Sequence, residues 1–278
     1  FVPNRISLPG GDLIEPYLAS LKEALEELTR QAVVTLGEVS ITYAHGRCNL
    51  AAHRDYRDSE RDIYATGYNP DEAADDLVIV ARVNAAAQGS DDSPCLTIVH
   101  YACHPTTLAW DNTLLSPDFA GAMREVVQGQ TGVPCVFFQR PCGDLGPRDG
   151  FSGDTSLAER NGRQLGFAAL SALSSMGPSR CDFTYGGPVE SGATIGTWAW
   201  TSFDDERRTA ASRWAGDIYS VDLTYRPLPD EVSLRTDLER FEDGHERALT
   251  EGNQIAARDL RAMAERCRRW LGRLEELP

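Results

Sequence analysis

Residues 95–139 read "CLTIVHYACHPTTLAWDNTLLSPDFAGAMREVVQGQTGVPCVFFQ". The opening run, 95–103, is β-branched and apolar enough for a central strand. Within the second half, "SPDFAGAMREVVQG" predicts a helix. Ser116 serves as its N-cap, Pro117 takes the first helical position, Asp118 lies in the first turn and Gly129 near the end. A second buried strand, "VPCVFFQ" (133–139), follows. Strand, loop, helix, strand is the signature of α/β layering.

Downstream, "RPCGDLGPRDGFSGD" (140–154) is a loop rich in Gly, Pro and Asp. A helix follows, opened by a Ser156/Glu159 capping box and stopped at Gly177-Pro178. Upstream, "EVSITYA" (38–44) and "DLVIVARVNA" (76–85) read as strands. Residues 12–32 read as a helix with Ile14, Leu18, Leu21, Leu25 and Leu28 on one face. Residues 181–226 look β-rich, on "TIGTWAWTSF" and "IYSVDLTYRPL". Residues 230–277 predict two antiparallel helices turning at "EGNQ" (251–254). The second of them carries Leu260, Met263, Cys267, Trp270, Leu271 and Leu274 on one stripe, as a packed helix does. The fold class expected is α/β, a mixed sheet core with flanking helices and a carboxyl-terminal helical hairpin. The expected organisation is a single domain over 1–278.

The net charge is −15, from 42 acidic against 27 basic residues. That balance argues against nucleic acid as a partner, which needs a basic face. No run approaches the roughly 18 apolar residues of a membrane span, so no transmembrane segment is expected. The seven cysteines show no CxxC spacing, and several sit in apolar runs as small hydrophobes. No leader is visible, and the first residue is Phe1 rather than Met, so the sequence leaves the compartment open. There is no GxSxG, P-loop or GxGxxG motif.

In open α/β sheets, function sits in loops beyond the carboxyl ends of strands. The loops 104–115 and 140–154 hold that position. His100 and His104, on an extended strand, would stand roughly 13 Å apart and could not share one metal ion. HxxxH signals a metal on a helix, not on a strand. His104, at the strand's end, is the better candidate. In "CGDLGPR" (142–148), Gly143 and Gly146 flank Asp144 and let backbone N–H groups approach an oxyanion, or simply make a turn. "GRCNLAAHRDYRD" (46–58) brings His53, Arg54 and Arg57 together. Arg54 could hold a carboxylate or phosphate bidentately, or belong to an exposed charged hairpin.

These segments occur in an order that resembles the amino-terminal catalytic domain of the neutral/alkaline non-lysosomal ceramidase family. "YACHPTTLAWDNTLLSPDFAGAMREVV" is similar to its HPT segment, and "VPCVFFQRPCGDLGPR" to its strand and GD loop. "GRCNLAAHRD" is similar to its NR segment, and "AERNGRQLGFAAL" to the helix after the GD loop. "GYNPDEAADDLVIVARV" fits the stretch between the NR and HPT segments. The likeness covers roughly residues 10–175. It implies a zinc-dependent hydrolase of the N-acyl amide bond of ceramide, a sphingolipid, with His104 as a zinc ligand. It further implies Arg54 as the active-site arginine, Gly143, Asp144 and Gly146 in the catalytic loop, and Arg54, Asn112 and Asp118 on the substrate.

The chain departs from the family in three ways. Gly146 stands where the ceramidases have the serine proposed as nucleophile, and His53 where they usually have Asn. The family's remaining zinc ligands, a His of a THTH-type motif, a Glu and a Tyr, are expected outside residues 1–278. The reading is a zinc-dependent hydrolase acting on a small-molecule or lipid amide. Its alternatives are a zinc hydrolase of a different amide or ester, and a non-catalytic descendant that binds lipid or glycan.

Overall fold

The structure, a computed structural model, describes residues 10–85, 93–224 and 227–276. The chain divides into two units, Leu36–Ala215 and the paired segments Phe1–Thr35 and Gly216–Pro278.

The first unit is a mixed α/β layer structure. Its sheet is built from β1 (Val39–Arg47), β5 (Leu77–Ala85), β6 (Pro94–Tyr101) and β7 (Cys135–Gln139), in the order β1-β5-β6-β7. The pairs β1/β5 and β5/β6 are antiparallel, and β6/β7 is parallel. A parallel pair needs a crossover, and α2 (Asp118–Thr131) supplies it. A second helix, α3 (Thr155–Ser174), packs on α2 and also against β1 and β5. Val78, Val80, Val99, Tyr101, Phe119, Met123, Val127, Cys135 and Leu165 form the shared core. The strand expected to be central is internal to this sheet, as its apolar run requires.

Two glycines one helical turn apart, Gly162 and Gly166, let α3 lie close on α2. A Cβ at Gly162 would stand 2.5 Å from the Phe119 carbonyl oxygen, and one at Gly166 2.8 Å from the Val126 side chain. Both caps differ from the sequence reading. The α2 N-cap is Pro117, with Ser116 Oγ instead accepting the Asp118 N–H, and Asp118 sits at φ 54°. The α3 N-cap is Asp154, whose carboxylate accepts the Ser156 N–H, so Ser156 lies inside the helix rather than capping it. At α3 the neighbouring Asp154 reaches the free amides first, whereas at α2 Ser116 still takes an amide but from one position outside the N-cap.

Two further strands, β2 (Ala51–His53) and β8 (Leu145–Pro147), pair antiparallel as a short ribbon. A hairpin of β3 (Asp55–Asp58) and β4 (Ile63–Thr66) projects beyond it. Another hairpin, β9 (Cys181–Glu190) and β10 (Thr194–Ser202), stacks Phe183, Tyr185, Trp198 and Trp200 along one side. The short helix α4 (Asp205–Ala211) follows.

In the second unit, α1 (Ile14–Val34) leaves Leu18, Leu21, Leu25 and Leu28 exposed. The expected hairpin is present as α5 (Glu231–Thr250) and α6 (Gln254–Glu276), with Gly252 at φ 71° in the turn. Ala248 of α5 and Ala257, Ala264, Cys267 and Leu271 of α6 are buried. The β-rich expectation fails over 217–224, which forms no strand; Ile218, Tyr219, Val221 and Leu223 are exposed. Residues 225–226, in the same run, lie outside the described residues. β-propensity makes a strand only where a partner supplies a ladder, and none does so here among the described residues. No helix among the described residues is long and apolar enough to cross a membrane.

Candidate active site

The site begins with Tyr101, the last residue of β6. Its phenol is wholly buried, donates to the Cys48 carbonyl at 2.6 Å and accepts the Ala51 N–H at 2.8 Å. Burial pushes the Tyr101 hydroxyl well above its ordinary pKa, so it stays a neutral bridge. That bridge fixes the segment leading into β2. The ribbon partner β8 arrives from the loop after β7, and backbone bonds lock the junction. Arg54 N–H donates to the Asp144 carbonyl at 2.9 Å, and His104 N–H to the Leu145 carbonyl at 3.1 Å. Segments 46–58, 98–127 and 133–148 therefore meet at one place, beyond the carboxyl ends of the two parallel strands.

The far side of β2 is held by the chain returning from the β3–β4 hairpin. Gly67 N–H donates to the Arg54 carbonyl, and Asn69 N–H to the His53 carbonyl, both at 2.7 Å. His53 and Arg54 thus have backbone partners on two edges. The exposed charged hairpin that the sequence allowed does exist, but it starts at Asp55. Arg57 lies in it, over the Tyr64 ring and paired with Asp62.

The side chains fall into neighbouring groups. Nε2 of His53, which is 15% exposed, lies 3.3 Å from the Glu72 carboxylate and 3.8 Å from that of Asp144. His104 Nδ1 lies 3.7 Å from Cys142 Sγ. On Gly146, a Cβ would meet Thr106 Oγ1 at 3.7 Å and Arg54 Cβ and Cδ at 3.8 Å. Three polar atoms, His53 Nδ1, Arg54 Nε and Thr106 Oγ1, are fully buried and have no hydrogen-bond partner among the described residues. Native structures rarely leave such atoms bare, and three of them lie within the segments that meet here. Gly143 is open, with nothing within 4 Å of a Cβ placed there.

Asp118 and Asn112 hold the approach loop. The Asp118 carboxylate accepts the N–H groups of Leu108, at 2.9 Å, and Phe119, at 2.6 Å. Asn161, buried on α3, donates to the Asp149 carbonyl at 2.9 Å and to Thr107 Oγ1 at 3.3 Å, tying the two loops together. Asn112 exchanges bonds with the backbone of Leu114 in its own turn. His100 remains in β6, its pKa lowered by burial and by the nearby Arg140. His45 lies on β1 opposite Ile79, outside this constellation.

His104 and Cys142 are neighbours, but no group of three His, Cys, Asp or Glu side chains among the described residues is arranged to hold a metal ion. A catalytic zinc normally takes three protein ligands, so these residues do not complete a zinc site by themselves. Sequence reasoning gave no role to Thr106 or Glu72. Thr106 was within reach, two residues beyond His104 in "HPT". Glu72 was not, because only the hairpin's return brings it to His53.

No family model matches the chain. No curated protein matches it either. Among solved structures, it is similar to a ceramidase complexed with C2, at 19% identity and a TM-score of 0.41, covering 58% of this chain and 27% of that one. It is likewise similar to the neutral ceramidase from Pseudomonas aeruginosa, at 18% identity and a TM-score of 0.41, covering 56% of this chain and 27% of that one. The chain thus spans about a quarter of each of these proteins.

Proposed function

We propose that this chain forms part of a hydrolase of N-acyl amide bonds, acting on a small-molecule or lipid amide of the kind ceramide represents. One observation carries the reading. The three segments that resemble the ceramidases in sequence, far apart along the chain, meet through the Arg54–Asp144 and His104–Leu145 backbone bonds. Arg54 anchors the substrate, because its buried Nε is a fixed donor without a partner. The backbone of 143–146 lines the site, and the open space at Gly143 lets a substrate come against the chain. Asp144 and Glu72 flank His53, so a proton on that imidazole has carboxylates beside it. Within this proposal His104 is the ligand this chain gives to zinc, with the other donors outside residues 1–278. The parts played by Arg54 and the loop backbone stand apart from the metal.

The test is a panel of N-acyl amides and esters offered to the protein from its complete reading frame, beside Arg54→Ala and His104→Ala. Amide turnover that falls at least tenfold in both variants supports the reading. Turnover unchanged in both, or confined to esters, overturns it. Gly146 favours one second reading, a non-catalytic lipid or glycan binder, since it removes the family's proposed nucleophile. Binding of an N-acyl amide without turnover would select that reading.

A further inference from the structure

We infer that the cavity between α3 and the outer end of the β2–β8 ribbon binds a small carboxylate that also bears hydroxyl groups. The cavity measures about 290 Å³ and is lined by Leu50, Arg148, Asp149, Arg160, Asn161 and Gln164. That is the small end for ligand pockets, which start at about 300 Å³. It lies apart from the candidate active site. Arg148 N–H donates to the Leu50 carbonyl at 2.9 Å, one step beyond the Ala51–Pro147 pair. His53 pairs with Leu145 at the ribbon's other end. Three residues of strand separate Leu50 from His53, roughly 10 Å.

Hydrogen bonds tie the two walls of the cavity together. From α3, Arg160 donates to the Asp149 carboxylate at 2.7 Å, Asn161 Nδ2 to the Asp149 carbonyl at 2.9 Å, and Gln164 Nε2 to Asn49 Oδ1 at 2.6 Å. A carbonyl can only accept, so the Asp149 carbonyl fixes which end of the Asn161 amide faces it. Asn161 Nδ2 also reaches Thr107 Oγ1, and the amide oxygen is left without a hydrogen bond among the described residues. The residue is 2% exposed. Unlike His53 Nδ1, Arg54 Nε and Thr106 Oγ1, this oxygen is open to contact from outside the protein. A nearly buried side chain thus offers a free acceptor to the cavity.

The charges select the ligand. The Arg148 side chain has no ion-pair or hydrogen-bond partner among the described residues. Arg160 shares its charge with Asp149. Two guanidiniums against one carboxylate leave a single positive charge, which matches one carboxylate on the ligand. The Asn161 oxygen, and the Gln164 oxygen, likewise unpartnered among the described residues, can only accept, so the ligand must also carry donors. Hydroxyl groups supply them without adding charge, whereas an ammonium group would meet the arginines.

The cavity stands whether or not the chain cleaves amides, so the experiment reads binding. Titration calorimetry on the protein from its complete reading frame compares three probes. D-glucuronate has a carboxylate and hydroxyls; acetate has only the first and glucose only the second. Glucuronate is expected to bind at least tenfold more tightly than either. Arg148→Ala is expected to weaken it at least tenfold, and since Arg148 is exposed and unpaired the variant keeps its fold. Arg54→Ala is expected to leave glucuronate affinity unchanged. Four results overturn the inference. One is no binding of glucuronate. Another is acetate or glucose bound as tightly. The third is an affinity that survives Arg148→Ala. The last is binding lost in Arg54→Ala, which would put the carboxylate in the candidate active site instead. Failure of the amide panel leaves all these readouts unchanged, so the two ideas fail separately.

Discussion

The phenol of Tyr101 bridges the Cys48 carbonyl and the Ala51 amide, tying the end of a central strand to the segment that carries Arg54. Tyr101→Phe keeps the ring and removes the bridge, leaving a buried carbonyl and a buried amide unpaired. A loss of about 1–3 kcal/mol is expected, read as a lower urea midpoint. Hydrogen exchange at Ala51 should speed up by more than exchange across β5. Equal acceleration at both places would show that the phenol merely fills volume.

Asp118 is a loop clamp whose carboxylate takes two backbone N–H groups. Removing it strands the amide of Leu108, and hydrogen bonds to a charged acceptor are worth about 1.5–3 kcal/mol. Its φ of 54° adds strain for alanine but not for glycine. Asp118→Ala should therefore unfold at lower urea than Asp118→Gly, despite the glycine variant's freer unfolded chain. The reverse order would dismiss the backbone contribution.

Gly162 and Gly129 offer a matched pair on packed helices. A methyl at Gly162 collides with the backbone of α2, whereas one at Gly129 meets nothing within 4 Å. Gly162→Ala is expected to cost about 1–3 kcal/mol through overpacking. Gly129→Ala is expected to gain about 0.5–1 kcal/mol. Thermal melts of the two variants should move in opposite directions.

Burial pushes the Cys135 thiol up to about 11 from 9.0, and burial also raises the thiol of Cys103. The folded state then holds its proton where the unfolded state has lost it. Stability from this source is complete below pH 9 and is lost as pH rises through 11. Urea midpoints should hold level up to pH 9 and fall beyond it, and Cys135→Ala should flatten that fall. A profile unchanged by the substitution would place the alkaline transition elsewhere.

The chain of residues 1–278 should hold zinc no more tightly than a single imidazole does. Elemental analysis after gel filtration is expected to find well under one zinc per chain, with His104→Ala no different. One zinc per chain, lost in the variant, would mean that the donors rearrange to complete a site.

Periodicity and turn chemistry made most of the layer order legible. The strand runs at 76–85 and 95–103 were apolar because helices cover them, and hydrophobic pattern reports that burial directly. Caps were less legible. Ser116 and Asp118, or Asp154 and Ser156, compete for the same free amides, and only geometry chooses between them. "IYSVDLTYRPL" misled for another reason: strand propensity lies in the residues, but pairing lies in the partner. At the site, His104, Arg54 and Asp144 stood out through motif and residue type. The Thr106–Gly146–Arg54 juxtaposition did not, because it depends on which face of a three-residue ribbon each side chain takes.

That ribbon also sets an order of events. Residues 51–53 can pair with 145–147 only after the intervening strands, crossover helix and loop have been made. Contacts between such distant parts of a chain carry a large loop-closure cost and form late. During synthesis, the Arg54 end of the site must wait for residue 147 to leave the ribosome. A chain interrupted before that point would carry a nearly whole sheet and no site at all.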